Sequence, residues 1–178
     1  MVDLVDRWRP LFERLLDAMP VLLERLERWP EGFGHLDAFS RNAASIGDRM
    51  VMIDWAYAGI APVGTDAAGI VGMTGMHGDV TGDDLGRLYR VVVDEYTAGL
   101  HAAGLEIDPA DVEATVALLL VLRWTGFMTQ IHALGDRLVE VAESVGGRPF
   151  ADTAAAWAAL SELVATLAES VLDRAEAG

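Results

Sequence analysis

The sequence contains no cysteine and no lysine, and its single asparagine is Asn42. The absence of cysteine excludes disulfides, thiolate nucleophiles and Cys-ligated zinc or iron–sulfur sites. Because all 13 basic residues are arginine, any chemistry that needs a lysine ammonium must be supplied from elsewhere.

Long apolar runs and positive charge are also scarce. The longest unbroken apolar run, Val116 to Leu122, is far shorter than the ~20 residues that span a bilayer. Residues 1–7 show no basic region followed by an apolar stretch, so we expect no secretory signal. The 28 acidic residues give a net charge of −15, which disfavours nucleic acids and anionic membranes as partners. We therefore expect a soluble, cytoplasmic protein that binds neither.

The pattern of apolar residues predicts a mainly helical chain. The 178 residues, 52% of them apolar, suffice for one domain with a sizeable core. Helical spacing runs through the first 30 residues, where Pro20 is expected to kink or divide the helix and Pro30 to end it. Further helices are predicted over about 66–76, 83–103, 109–144 (as one helix or two) and 151–175.

The region between the first two helices predicts one small β-hairpin. Two short strand candidates, 43–46 and 50–53, are joined through Gly47-Asp48-Arg49, which supplies turn residues. The flanking stretches 31–42 and 55–64 have no periodicity and are predicted to be loops. The predicted architecture is one domain over 1–178, with functional loops in 31–66 and a helical body in 66–178.

Four polar residues around this hairpin are candidates for a catalytic and metal-binding site. His35, Asp37 and Asn42 fall in the pattern H-x-D-x-x-x-x-N, and Asp54 follows the second strand candidate. In phosphoryl transfer a carboxylate accepts or orients the proton of the attacking hydroxyl, and oxygen ligands hold Mg²⁺ on the nucleotide phosphates. Asp37 suits the first role, and Asn42 and Asp54 suit the second. The alternative is that Asp37 and Asn42 only cap turns.

The segment resembles the catalytic and metal-binding loops of the aminoglycoside phosphotransferase family, small-molecule kinases of the protein-kinase-like fold. The likeness rests on H-x-D-x-x-x-x-N, the hairpin, Ile53-Asp54-Trp55 and the continuation from Ala56 to Asp66. It implies that Asp37 is the catalytic base, that Asn42 and Asp54 hold the Mg²⁺ that accompanies ATP, and that His35 and Asp66 are structural supports. Leu36 departs from the family's pattern, which has glycine there.

By this resemblance the chain is the helical C-terminal lobe of a kinase-like fold with the N-terminal β lobe absent. No sheet pattern precedes residue 31, and the strand lysine that contacts the α- and β-phosphates is missing. The implied function is transfer of the γ-phosphoryl group of ATP to a hydroxyl of a small molecule. The net charge favours a cationic acceptor, such as an aminoglycoside or another amine-bearing alcohol.

The alternative function is a non-catalytic, truncated kinase-like helical module that acts by binding a partner. Without an N-terminal lobe, the loop residues Phe33, Phe39 and Trp55 would lack cover. Exposed apolar patches mark partner surfaces, so we expect a homodimer or a separate polypeptide over this face.

Other motifs are weaker. His77-Gly78-Asp79 matches the family's tripeptide, but a helical period follows it, so Asp79, Thr81 and Asp83 are expected to cap that helix. Glycines recur every three residues from Gly69 to Gly78, which indicates either a weak helix or a closely packed one. His101 and His132 are interpreted as structural rather than metal-binding, and the acidic helical positions as a solvated face.

Overall fold

The computed structural model describes residues 2–47, 49–133, 137–146 and 149–176, and it describes no side chains for 2–6, 128, 131, 132, 145 and 146. These residues form a mainly helical chain with four short strands, which confirms the coarse fold prediction. The helices are α1 (Val2–Glu27), α2 (Thr65–Met76), α3 (Asp83–Ala102), α4 (Pro109–Ala133), α5 (Leu138–Gly146) and α6 (Phe150–Glu176). The strands are β1 (Glu31–Gly34), β2 (Ala43–Ile46), β3 (Arg49–Met52) and β4 (Gly59–Pro62).

The strands form two separate antiparallel sheets of two strands each. The predicted hairpin is present as β2–β3, paired from Ala43↔Met52 to Ile46↔Arg49. A second sheet pairs β1 with β4, from Glu31↔Pro62 to Gly34↔Gly59. The prediction of only one hairpin, with loops over 31–42 and 55–64, was therefore wrong. Each of the missed strands has only four residues, includes glycine and finds its partner far along the chain, so neither shows a strand period.

Helix α1 is continuous through Pro10 and Pro20, so of the two expected effects of Pro20, a kink or a division of the helix, the division does not occur. A proline inside a helix removes one backbone hydrogen bond. Here the apolar stripe of Leu11, Leu15 and Leu22 is buried in the core. Burying each such side chain contributes about 1.5–3 kcal/mol, which offsets the lost bond. The helix ends at Glu27, ahead of Pro30.

Helices α4 and α6 form the centre of the core, and α1 and α2 pack on them. Helix α6 buries one seam of apolar side chains, with Trp157, Leu160 and Val164 each 1% exposed. By length and mean hydropathy (1.3) α6 could cross a membrane, but half of its apolar window is buried inside the protein. Core helices of soluble proteins meet the same criteria, so this helix is weak evidence for a membrane span.

The glycine repeat reflects close packing of α2. A Cβ at Gly72 would lie 1.8 Å from the indole Nε1 of Trp124, so α4 approaches α2 at a distance that only glycine permits. Gly75 is similarly enclosed, since a Cβ there would lie 3.1–3.2 Å from Leu85 and Leu160. Of the two interpretations of this repeat, the closely packed helix is confirmed.

The helix starts are partly as predicted. Helix α4 begins at Pro109, and the Asp108 carboxylate accepts a hydrogen bond from the Ala110 amide at 2.8 Å. Helix α3 begins after Gly82 without a side-chain cap, so the predicted capping by Asp79, Thr81 and Asp83 was wrong. The predicted helix over 109–144 corresponds to two helices, α4 and α5.

Candidate functional site

Asp66 fixes the loop that follows β1. It lies in the first turn of α2, and its carboxylate accepts hydrogen bonds from the backbone amides of His35 (2.8 Å) and Leu36 (2.7 Å). A negative charge in the first turn also interacts favourably with the helix dipole. Leu36 has a left-handed backbone with φ of 62°, a conformation that favours glycine. Two charge-assisted hydrogen bonds therefore hold the loop in a strained turn.

His35 connects this loop to the residue before Asp54. Its side chain is only 3% exposed, and its Nε2 lies 2.8 Å from the carbonyl oxygen of Ile53. A carbonyl can only accept, so Nε2 carries the proton and donates it. The ring also contacts Trp55, with 4.7 Å between ring centroids. His35 thus holds the ends of the two predicted functional loops together.

Asn42 orients Asp37. Its side-chain nitrogen Nδ2 donates to the Asp37 carboxylate oxygen Oδ2 at 2.8 Å and to the Asp37 backbone carbonyl at 2.9 Å. The alternative interpretation, in which Asp37 and Asn42 only cap turns, accounts for the bond to the backbone carbonyl. It does not account for the bond to the Asp37 carboxylate. Both bonds use the amide nitrogen, so the amide oxygen keeps its capacity to bind another group.

Asp54 lies beside Asn42 at the open end of the hairpin. The Ile53 amide donates to the Asn42 carbonyl at 2.9 Å, which extends the β2–β3 ladder by one residue pair. Asp54 follows directly, with φ of 60° and an exposed side chain. Within the described residues its carboxylate has no hydrogen bond or ion pair. The hairpin therefore brings the chain at Asp54 back to Asn42, as the sequence predicted.

Two positioning residues were not predicted. A Cβ at Gly34 would lie 3.0 Å from Asp66 Oδ2 and 3.1 Å from the Leu36 side chain, so β1 approaches the Asp66 carboxylate closely. The Tyr96 hydroxyl accepts a hydrogen bond from the Gly64 amide at 3.0 Å, just before α2. Burial raises the pKa of Tyr96, the bond from Gly64 opposes that rise, and the charge of Asp66 adds to it. The position of Gly34 directly before His35 was the sequence signal that could have indicated this close approach.

The second His-Gly-Asp segment packs against the candidate site instead of duplicating it. The His77 ring stacks on Phe39 with 5.5 Å between centroids. The Asp79 carboxylate accepts a hydrogen bond from Ser40 Oγ at 3.0 Å and lies 4.0 Å from the Arg41 guanidinium. This segment therefore borders the turn between Asp37 and Asn42.

The remaining predicted candidates have structural surroundings. His101 lies 2.8 Å from the Ile107 carbonyl oxygen through Nε2, and it therefore donates to a backbone group. The side chain of His132 lies outside the described residues. The acidic positions interpreted as a solvated face are exposed: Asp94, Glu95, Asp111, Glu113, Glu140 and Glu143.

Two concavities differ in their lining. A cavity of about 40 Å³ lies beside Gly34, Leu36 and Asp66, whereas an open groove of about 820 Å³ is lined mainly by residues of α3 and α6. In the part of the chain that the structure describes, no three His, Asp or Glu side chains cluster as a metal site. The Asn42–Asp54 pair of the sequence prediction is of a different kind, because it offers one amide oxygen and one carboxylate instead of three acidic or imidazole groups.

No protein-family model, curated protein or solved structure matches this chain. The interpretation of the site therefore depends on its own geometry.

Proposed function

We propose that this chain is the C-terminal lobe of an ATP-dependent phosphotransferase that transfers the γ-phosphoryl group to a hydroxyl of a small molecule. The observation that carries the proposal is one hydrogen-bonded network around the hairpin. Asp66 holds the His35–Leu36 backbone, His35 binds the Ile53 carbonyl, and Asn42 binds Asp37. Four of the five residues that the motif and the resemblance single out take part in these contacts, and the Ile53 amide, which donates to the Asn42 carbonyl, brings the backbone next to Asp54 beside them.

In this proposal Asp37 is the catalytic base. Its carboxylate accepts the proton of the acceptor hydroxyl as that oxygen attacks phosphorus. The hydrogen bond from Asn42 leaves one carboxylate oxygen for that proton. His35 and Asp66 are positioning residues, because their bonds go to the backbone on either side of the site.

Asn42 and Asp54 fit Mg²⁺ by the chemistry of their donors. Mg²⁺ prefers oxygen ligands and is bound through one or two protein groups together with phosphates and water. The amide oxygen of Asn42 is not used by its own hydrogen bonds, and the exposed Asp54 directly follows Ile53, whose amide donates to the Asn42 carbonyl. Bound with ATP, the ion would neutralise charge on the phosphates.

We further propose that a β lobe outside these 178 residues supplies the rest of the nucleotide site. Positioning and charge neutralisation provide most of the acceleration in phosphoryl transfer, and this chain has no lysine for the phosphates. We therefore expect the isolated chain to turn over far below the 1–100 s⁻¹ that is usual for kinases. The remaining proposals are a cationic acceptor, a homodimer or another polypeptide over the exposed face, a cytoplasmic location and no nucleic-acid or membrane partner.

A second candidate function is a non-catalytic helical module. The absence of lysine favours it. Such a module would keep the hydrogen-bonded loops as a scaffold and would not bind a metal–nucleotide complex at Asp54. Metal binding therefore discriminates between the two functions.

The test is a titration with paramagnetic Mn²⁺ and ATP, followed by NMR relaxation of backbone amides. We expect residues 37–55 to broaden first in the wild-type chain. Asp54→Asn should abolish this effect, whereas Asp94→Asn, the same change at an exposed aspartate on α3, should not alter it. Broadening at another acidic cluster, with 37–55 unaffected, would contradict the assignment and favour the non-catalytic module.

A further inference from the structure

The His-Gly-Asp segment at the end of α2 has a defined backbone geometry. His77 is the C-cap residue, and Gly78 follows with a left-handed backbone, φ of 60°. The Gly78 amide donates to the Gly75 carbonyl at 2.9 Å, and the Asp79 amide donates to the Thr74 carbonyl at 3.1 Å. These two bonds form a Schellman motif, in which a glycine after the helix lets the chain turn back. We call residues 77–79 the α2 end segment.

The contacts of Asp79 are with the loop that carries Asp37. The carboxyl end of a helix has a partial negative charge, so the helix itself does not favour an aspartate there. Asp79 does not cap α3 either, because that helix begins without a side-chain cap. Among the described residues, the Asp79 carboxylate accepts a hydrogen bond from Ser40 Oγ at 3.0 Å and lies 4.0 Å from the Arg41 guanidinium. Its interactions therefore hold the loop.

Phe39 connects the α2 end segment to Asn42. The Phe39 ring stacks on the His77 ring with 15° between the ring planes, and His77 is only 9% exposed. The Phe39 carbonyl accepts a hydrogen bond from the Asn42 backbone amide at 3.0 Å, and the Asn42 side chain binds Asp37. The position of the Phe39 ring therefore affects the residue that orients Asp37.

The loop is held on both sides of Asp37. On the upstream side the Leu36 amide donates to Asp66 at 2.7 Å. On the downstream side residues 39–41 contact the α2 end segment. Only Asp37 and Ala38 lie between these two contacts, and Ala38 is 4% exposed. The backbone of Asp37 therefore has little freedom while both contacts are made.

We propose that the α2 end segment is a second anchor of the turn between Asp37 and Asn42, with His77 and Asp79 as positioning residues. They act through Phe39 and Ser40, and they keep the Asp37 carboxylate at the Asn42 side chain. The role in phosphoryl transfer rests on the proposed function, whereas the anchor itself can be measured without nucleotide.

The side-chain amide of Asn42 provides a direct measurement of this geometry. The chain contains one asparagine and one glutamine, Asn42 and Gln130, so its NMR spectra contain two side-chain NH₂ groups. The Asn42 NH₂ group donates to Asp37, whereas Gln130 is exposed on α4. Hydrogen bonding slows the exchange of such protons with solvent. The exchange rate at Asn42 therefore reports whether the turn is closed, and Gln130 is the internal control.

Two substitutions remove the hydrogen bond between the loop and the α2 end segment. Ser40→Ala removes its donor and Asp79→Ala its acceptor, and both side chains are exposed, so circular dichroism should show unchanged helix content. We expect each variant to raise the exchange rate of the Asn42 NH₂ group about two- to tenfold, as expected for the loss of one hydrogen bond. The double variant should not exceed Asp79→Ala alone, because both changes break the same contact.

Two matched variants are the controls. Ser40→Thr keeps the hydroxyl and should keep the wild-type exchange rate. Asp84→Ala removes an exposed carboxylate that also pairs with an arginine, Arg87 at 2.9 Å, and it should leave the Asn42 exchange rate unchanged.

The positioning role is tested by titrating the whole chain with Mn²⁺ and ATP. We expect the concentration that broadens the amides of residues 37–55 to rise at least twofold in Ser40→Ala and in Asp79→Ala. It should not change in Ser40→Thr or Asp84→Ala. Because Ser40→Ala does not alter the net charge, a weaker response in that variant cannot result from a loss of electrostatic attraction.

The outcomes separate this inference from the proposed function. Equal Asn42 exchange rates in the wild type, Ser40→Ala and Asp79→Ala would overturn the anchor. Faster exchange with an unchanged response to Mn²⁺ and ATP would overturn the positioning role. If the wild-type amides of residues 37–55 do not broaden at all, the phosphotransferase proposal fails, and the exchange rates still decide whether the anchor exists.

Discussion

Replacing Asp66 should release the loop that carries Asp37. Asp66→Ala removes the acceptor of two backbone amides, those of His35 and Leu36, at 2.8 and 2.7 Å. A hydrogen bond to a charged group contributes about 1.5–3 kcal/mol, and Asp66 is half-buried, so we take the lower value for each bond. The charge at the start of α2 adds about 0.3–1 kcal/mol. We therefore expect a loss of about 3–4 kcal/mol in the free energy of unfolding.

A matched control separates the loop contacts from the helix-end charge. Asp83 occupies the first turn of α3 and is exposed. Its carboxylate accepts no hydrogen bond in the described part of the chain. Asp83→Ala should therefore cost about 0.3–1 kcal/mol. The loss in free energy of unfolding for Asp66→Asn should lie between those of the two alanine variants. Its amide oxygen can accept a hydrogen bond from one backbone amide, while its NH₂ group opposes the other.

The assay is urea unfolding followed by circular dichroism, with amide chemical shifts as a local readout. The two alanine variants should differ by about 3 kcal/mol, and the shifts of His35, Leu36 and Ile53 should move only in Asp66→Ala. Differences between the variants below about 0.5 kcal/mol would refute the view that Asp66 holds this loop. Unchanged shifts around His35 would refute it independently of stability.

Three further perturbations examine the packing of the core, the loss of stability at high pH and the class of substrate. Gly72→Ala should lower the free energy of unfolding by about 3 kcal/mol or more, because its Cβ would lie 1.8 Å from Trp124 Nε1. The control is Gly86→Ala on α3, where nothing lies within 4 Å of a Cβ, and it should raise the free energy of unfolding by about 0.5–1 kcal/mol. Urea unfolding measures both changes. Burial raises the pKa of Tyr96, so its contribution to stability is complete below about pH 10, where the unfolded phenol ionises, and is lost as pH rises through the folded pKa. Tyr96→Phe should flatten the fall in melting temperature above that pH, and Tyr57→Phe, at an exposed phenol, should not. Aminoglycosides should raise the melting temperature at low salt and less at 0.15 M, where the Debye length is about 8 Å against about 30 Å at 0.01 M; stabilisation only by neutral or anionic alcohols would exclude a cationic acceptor.

The helices were predictable because their information is local. The helix predicted over 83–103 is Asp83–Ala102 in the structure, since an apolar period of 3.6 residues and Gly82 mark it within the segment itself. The helix predicted over 66–76 is Thr65–Met76. The hairpin was predictable for the same reason. Its strands are adjacent in sequence, and Gly47 marks the turn.

Non-local pairing could not be predicted. Strands β1 and β4 are separated in sequence by the whole catalytic-loop candidate and the β2–β3 hairpin, so no short turn fixes their register. The same holds inside the candidate site. The spacing of His35, Asp37 and Asn42 indicated a group, but the role of Asp66 as acceptor of two amides is a contact over about 30 residues. The hydrogen bond from the Gly64 amide to the Tyr96 hydroxyl connects the start of α2 to α3. The periodicity of the sequence does not indicate this contact.

Leu36 shows how the departure from the resembled motif is accommodated. A left-handed backbone costs a leucine about 1–2 kcal/mol relative to glycine, and at φ of 62° Leu36 bears that cost. Its amide donates to Asp66, and its side chain occupies the space beside Gly34 and Gly59, where a Cβ would lie 3.1 and 3.4 Å from it. Because the two neighbouring strand positions have no side chain, the leucine gains burial that a glycine would not have. The glycines at 34 and 59 thus make room for the leucine at 36, and the loop keeps the geometry that places Asp37 beside Asn42.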